Sequence, residues 1–105
     1  MAADFLQENG IRIIERNYRC RMGEIDIIGF DGDTRVFFEV KYRKNADSGH
    51  PCEAVGFTKQ RTICRTADHY RMVKRLPVDM PYRFDIISIS GSSVEWYKNA
   101  FEYIE

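Results

Sequence analysis

Apolar residues along this chain follow two periods, and the two periods outline a fold. Residues 24–30 and 35–41 are runs of β-branched and aromatic residues broken by single charges, and residues 84–89 form a third such run. Runs of this composition predict strands, and shorter ones at 11–14 and 94–97 predict two more. Asp31-Gly32-Asp33-Thr34 separates the first two long runs, a strong hairpin signal. A helical period follows at 58–73, where Ile63, Ala67, Tyr70 and Val73 share one face and Thr58 is the candidate cap. Leu76-Pro77 and Pro81 end that helix, because proline cannot continue it. Residues 2–8 predict a short helix stopped by Asn9-Gly10. The arginine-rich stretch 15–22 and the segment 44–52 read as connections, and 98–104 as a short helical tail. The resulting order, α-β-β-β-α-β-β, predicts an α/β domain spanning 1–105 around a mixed sheet.

The charged interruptions of the hairpin carry the chemistry. Side chains alternate faces along a strand, so Glu24 and Asp26 are expected on one face, with Ile25 and Ile27 on the other. Glu39 and Lys41 are expected opposite Val36, Phe38 and Val40. A two-residue turn at Asp31-Gly32 would set Phe30 across from Asp33. A four-residue turn would set Phe30 across from Arg35, and Asp26 across from Glu39. Either turn gathers Glu24, Asp26, Glu39 and Lys41 on one face; a three-residue turn or a bulge would scatter them. Like charges across a strand pair repel, and burying them costs more still. A hard divalent cation would relieve this, since carboxylate oxygens suit Mg²⁺ or Mn²⁺. Asp26 and Glu39 are then the expected ligands, and Lys41 the group that stabilises developing charge or orients an attacking water. The plainer alternative is a solvated sheet face carrying ordinary ion pairs.

Composition narrows the class. The chain has 105 residues, 44% of them hydrophobic, with 13 Phe plus Tyr and one Trp. That excludes a disordered tail. Its longest apolar runs are a few residues, too short for a membrane-spanning helix. Three cysteines, Cys20, Cys52 and Cys64, show no CxxC spacing and read as reduced thiols in a cytoplasmic protein. The acidic start lacks the basic and apolar regions of a signal peptide. His50 and His69 have no partner at metal-ligand spacing and read as ordinary residues.

Net charge is zero, 16 basic against 16 acidic residues, which at first argues against a nucleic-acid partner. The distribution reverses that reading. Residues 12–21 carry +3 and residues 41–75 carry +6, while the acids concentrate in the hairpin and after residue 78. A basic rim around an acidic centre suits phosphodiester chemistry: the rim holds the backbone and a metal neutralises the centre. Tyr18 and Tyr42 adjoin those bases and are candidates for stacking on unpaired nucleotides, with ordinary packing as the alternative.

Asp26 followed by Glu39-Val40-Lys41 resembles the D…(D/E)xK signature of restriction-endonuclease-like nucleases. A longer string is more specific: Asn17-Tyr18-Arg19-Cys20-Arg21, Gly23-Glu24-Ile25-Asp26-Ile27-Ile28, Phe37 to Arg43, Gly49, Lys59-Gln60-Arg61 and Arg83-Phe84-Asp85. In that order it resembles the YraN-like family of small bacterial proteins, over nearly the whole chain. That family is similar to Holliday junction resolvases. The resemblance implies a three-layer, endonuclease-like core, a mixed β-sheet flanked by helices. It implies a Mg²⁺- or Mn²⁺-dependent endonuclease acting on DNA, structured or branched forms included, or a binding module of the same fold that has lost the chemistry. Asp26, Glu39, Lys41 and Gln60 would be catalytic, with Asp26 and Glu39 the metal ligands and Glu24 auxiliary. Arg19, Arg21, Arg43, Lys59 and Arg61 would contact nucleic acid. A homodimer is also expected, with Phe57 or Trp96 as candidate interface aromatics. Related nucleases carry a glutamate on the first helix; in this family it would precede Ala3, where this chain has none, and Glu8 sits at the wrong end of the helix to replace it.

Overall fold

The computed structural model describes residues 1–43 and 55–105. Five strands form one sheet in sequence order: β1 (Arg12–Cys20), β2 (Gly23–Asp31), β3 (Thr34–Tyr42), β4 (Tyr82–Ser90) and β5 (Ser93–Phe101). Neighbours run antiparallel except β3 and β4, which are parallel. A parallel pair needs a crossover connection, and helix α2 (Phe57–Val73) lies within the connecting segment. Helix α1 (Ala2–Glu8) opens the chain.

Each helix covers one face, which gives three layers. Ile63, Cys64, Ala67 and Tyr70 of α2 pack with Ile25, Ile28, Phe37, Phe84, Ile86 and Phe101. On the other face, Ala2 and Leu6 of α1 pack with Ile11, Ile27, Val36, Phe38, Ile87 and Ile89. The predicted mixed sheet, both helices and the helical face of 58–73 are present. Val73 is the exception on that face, 53% exposed in the last turn of the helix.

Three local expectations are corrected. Residues 15–20 are strand, not connection: β1 is an edge strand, mostly exposed and polar, with a register shift between Ile13 and Glu15. Its apolar signal is weak because little of it is buried. Residues 98–101 are strand, not helix. Asn99 takes a left-handed φ of 51°, its backbone N–H donates to Asp85 Oδ1 at 2.8 Å, and Phe101 stacks on Phe84 at 5.0 Å. A shift in the β4–β5 register between Phe84 and Ile86 makes room for this. Finally, Thr58 does not cap α2. Gly56 is the N-cap, in an extended conformation with no side-chain bond.

The segment 44–54, with His50, Cys52 and Gly49, lies outside the described residues. Of the other cysteines, Cys20 is half-buried and Cys64 buried, both as free thiols. Among the described residues no helix is long and apolar enough to cross a membrane.

Candidate functional site

The hairpin settles the register question. Asp31 pairs with Thr34, Phe30 with Arg35 and Ile27 with Phe38, the register that sets Asp26 level with Glu39. Regular pairing stops at Ile27–Phe38. Beyond it, the Asp26 side chain takes over: its Oδ2 accepts from the backbone N–H of Val40 at 2.7 Å. The β1–β2 ladder is irregular at the same level. Arg16 pairs with Ile27 and Tyr18 with Ile25, while Asn17, opposite Asp26, is skipped and has a left-handed φ of 52°. Asp26 therefore sits where three strands part.

That irregularity also breaks the expected alternation. Ile25 and Ile27 should share a face, yet Ile25 joins the α2-side core and Ile27 the α1-side core. The four polar residues consequently do not form one row. Glu24 is drawn into an ion pair with Arg19 across the β1–β2 ladder. Asp26, Glu39 and Lys41 stay together, and Lys59 joins them from the first turn of α2.

Glu39 is the electrostatic focus. It is only 6% exposed, and its carboxyl is pushed up to about 7. Desolvation is the largest cause, because burial penalises the charged form. A hydrogen bond to Asp26 and the Asp26 charge push the same way, against the partial relief of Lys59 and Lys41. Lys59 Nζ stands 3.6 Å from Glu39 Oε2, close enough for an ion pair on a side chain that is itself 44% exposed. Among the described residues no cluster of three or more His, Cys, Asp or Glu side chains gathers. The centre is thus a pair of carboxylates with two lysines.

Gln60 lies in the first turn of α2. Its Nε2 donates to the Val55 carbonyl at 2.7 Å, and its backbone N–H donates to Gly56 at 2.9 Å. It thereby secures the first turn of α2, the turn that carries Lys59. Arg21 is exposed in the β1–β2 turn and Arg61 on α2. The two elements meet there: a Cβ on Gly23 would fall 2.6 Å from Thr62. Arg43 follows β3, its backbone N–H bonded to the Ile89 carbonyl. Tyr42 is 74% exposed. Tyr18 instead packs edge-on against Tyr70 and donates to His69 Nδ1, or accepts from it, at 2.6 Å. Of the candidate interface aromatics, Phe57 is exposed, but Trp96 is turned inward, against Phe5 and Phe38.

A pocket of about 310 Å³ opens beside Asp26 on the α1 side, between the start of α1, Arg16 and Asn17 of β1, and Val40 and Tyr42 of β3. Glu8, at the far end of α1, is exposed to solvent. Sequence reasoning missed Lys59 as a partner of Glu39 and missed Asn17 beside Asp26. The available signal for the second was an asparagine, a residue tolerant of left-handed backbone, facing the key aspartate.

Residues 1–89 match the uncharacterised protein family UPF0102. The chain belongs to this family. It is the YraN-like family that the motifs resembled. A UPF0102 protein of Lachnoclostridium phytofermentans is 48% identical over 101 residues, covering 96% of this chain and 86% of its own length. A UPF0102 protein of Psychromonas ingrahamii is 49% identical over 104 residues, with 96% and 83% covered. One of Syntrophus aciditrophicus is 49% identical over 106 residues, with 97% and 83% covered.

Proposed function

We propose that this UPF0102 protein is a metal-dependent endonuclease hydrolysing phosphodiester bonds of DNA, structured or branched DNA in particular. The observation that carries this reading is the buried Glu39 carboxyl held against Asp26. A carboxyl pair whose second charge is resisted by burial and by its neighbour is a site in want of a cation. Two oxygen donors fit Mg²⁺ or Mn²⁺, which commonly use one or two carboxylates and fill the remaining positions with water. Asp26 and Glu39 would hold the ion. When bound, it would polarise a phosphoryl oxygen and supply a water of lowered pKa.

The chain's own groups have separable roles. The Val40 N–H fixes the Asp26 carboxylate, so this ligand is set by the sheet rather than by a mobile rotamer. Lys41 and Lys59 flank Glu39 and favour its charged, ligating form. Both ammonium groups are also suited to the charge that grows on a phosphoryl group under attack. Gln60 positions Lys59 by securing the helix turn. Arg21, Arg43 and Arg61 serve the phosphate backbone, and Arg19 does so in competition with Glu24. A four-way junction presents two symmetry-related strands, so two copies of the chain would be needed to cut both.

The test is cleavage of duplex, single-stranded and four-way-junction DNA by full-length protein, with Mg²⁺ or Mn²⁺ and with chelator. Metal-dependent cutting that disappears in Asp26→Asn and Glu39→Gln is expected. No cutting of any substrate overturns the proposal.

One observation favours a second reading, a nucleic-acid-binding module without catalysis. Asp26 and Glu39 have no third acidic or histidine partner among the described residues, and Lys59 already lies against Glu39. That reading expects salt-sensitive DNA binding unaffected by Asp26→Ala.

A further inference from the structure

The pocket beside Asp26 has the size and lining of a nucleotide subsite. Its volume is about 310 Å³, at the small end of ligand pockets, which run from roughly 300 to 1,000 Å³. Ala2, Ile27 and Val40 supply part of its lining, and Asp26 lies among them. Arg16, Asn17 and Tyr42, three residues of different chemistry, also line it. All three are exposed, and Tyr42 presents nearly three-quarters of its surface to solvent at the end of β3.

The backbone here is unusual as well. Asn17 is held at a φ of 52°, in the middle of an edge strand, opposite Asp26. A left-handed residue inside a strand is a local cost that often accompanies function.

We infer that this pocket takes a single unpaired nucleobase beside Asp26, the member of the Asp26–Glu39 pair that lines it. The inference rests on the nuclease reading for its choice of ligand. Apolar side chains and an aromatic residue suit a nucleobase, an amide can read its polar edge, and a guanidinium can hold its phosphate. A base inside a regular duplex is stacked on both sides and cannot enter. The substrate class is therefore DNA with an unpaired or extruded base, as at a junction, flap or single strand, rather than uniform duplex.

The test uses the full chain and a DNA hairpin with one unpaired 2-aminopurine, beside the same hairpin with an abasic site, in Ca²⁺ buffer. The expected result is a change in 2-aminopurine emission on binding and a preference for the base-bearing DNA of roughly five- to hundredfold. Tyr42→Leu should abolish that preference, Tyr42→Phe should keep it, and Arg16→Ala should weaken both DNAs alike. Equal binding of both hairpins, with no effect of Tyr42→Leu, overturns the subsite. If metal-dependent cleavage persists alongside that result, the nuclease reading stands without it. Absence of binding to either hairpin together with absence of cleavage overturns both.

Discussion

Two buried carboxylates lie on adjacent parallel strands, and they are treated in opposite ways. Asp85 on β4 is fully buried. Its Oδ1 accepts from Arg83 Nε at 2.9 Å and from the Asn99 N–H at 2.8 Å. Its Oδ2 accepts from an Arg83 terminal nitrogen at 3.0 Å and from Trp96 Nε1 at 2.8 Å. Each oxygen has two donors, so the residue ties β5 to β4. Glu39 on β3 is buried almost as deeply, but its nearest acidic neighbour is Asp26 and its nearest cation is a half-exposed lysine 3.6 Å away. Folding provides for Asp85 and leaves Glu39 under-provided. Burial alone is therefore no guide to role; the completeness of the partner set separates an anchor from a site.

Breaking the anchor should give the largest effect. Asp85→Ala leaves the guanidinium of Arg83 partly unpaired and removes acceptors from Trp96 and Asn99. Losing one member of a buried pair typically costs ~3–5 kcal/mol. Urea denaturation should show that loss for Asp85→Ala.

Glu39→Gln should act with the opposite sign. It removes a carboxylate that burial resists, and above pH 7 it should stabilise the metal-free protein by about 1–2 kcal/mol. A loss of stability comparable with that of Asp85→Ala would erase the distinction between the two carboxylates.

The same contrast has a pH signature. Glu39 has an ordinary value of 4.5 and is raised to about 7 in the fold. Between those values the folded state binds more protons than the unfolded one, so the stability Glu39 contributes is complete below about 4.5 and is lost as pH rises through 7. Thermal unfolding of wild type and Glu39→Gln across pH 4.5–8 should diverge, with the variant gaining on wild type toward high pH. Because an ion needs the deprotonated carboxylate, Mn²⁺ should raise the wild-type melting temperature more at pH 8 than at pH 6.

The smallest effect belongs to Glu24. Its partner Arg19 is exposed, and exposed ion pairs contribute little. Glu24→Ala should change stability by less than about 0.5 kcal/mol and leave Mn²⁺ affinity unchanged. A clear loss of Mn²⁺ binding would return Glu24 to the site that sequence alternation assigned it.

How far the sequence foretold this arrangement depends on which interactions are local. The hairpin was legible in Asp31 to Thr34, but two registers stayed open, and only the fold selects the one that sets Phe30 against Arg35; the mixed sheet followed from the helix between β3 and β4. The pairing of Asp26 with Glu39 followed from that register. The fate of Glu24 was not legible: the alternation rule fails where Ile25 and Ile27 part company, and the break is set by three strands meeting at Asp26. Lys59 was read as a phosphate contact because its nearness to Glu39 depends on how α2 docks. The inward turn of Trp96 depends on Asp85, eleven residues earlier in the chain. Each of these is a tertiary fact that composition and spacing do not encode.

Asp26 and Glu39 are together the proposed ligands of a divalent cation. Mn²⁺ titration followed by electron paramagnetic resonance tests it directly, since free and bound Mn²⁺ differ in signal. One ion per chain is expected at pH 8, lost in both Asp26→Asn and Glu39→Gln and retained in Glu24→Ala. Absence of bound Mn²⁺ in the wild type, or binding that survives both substitutions, would contradict the account.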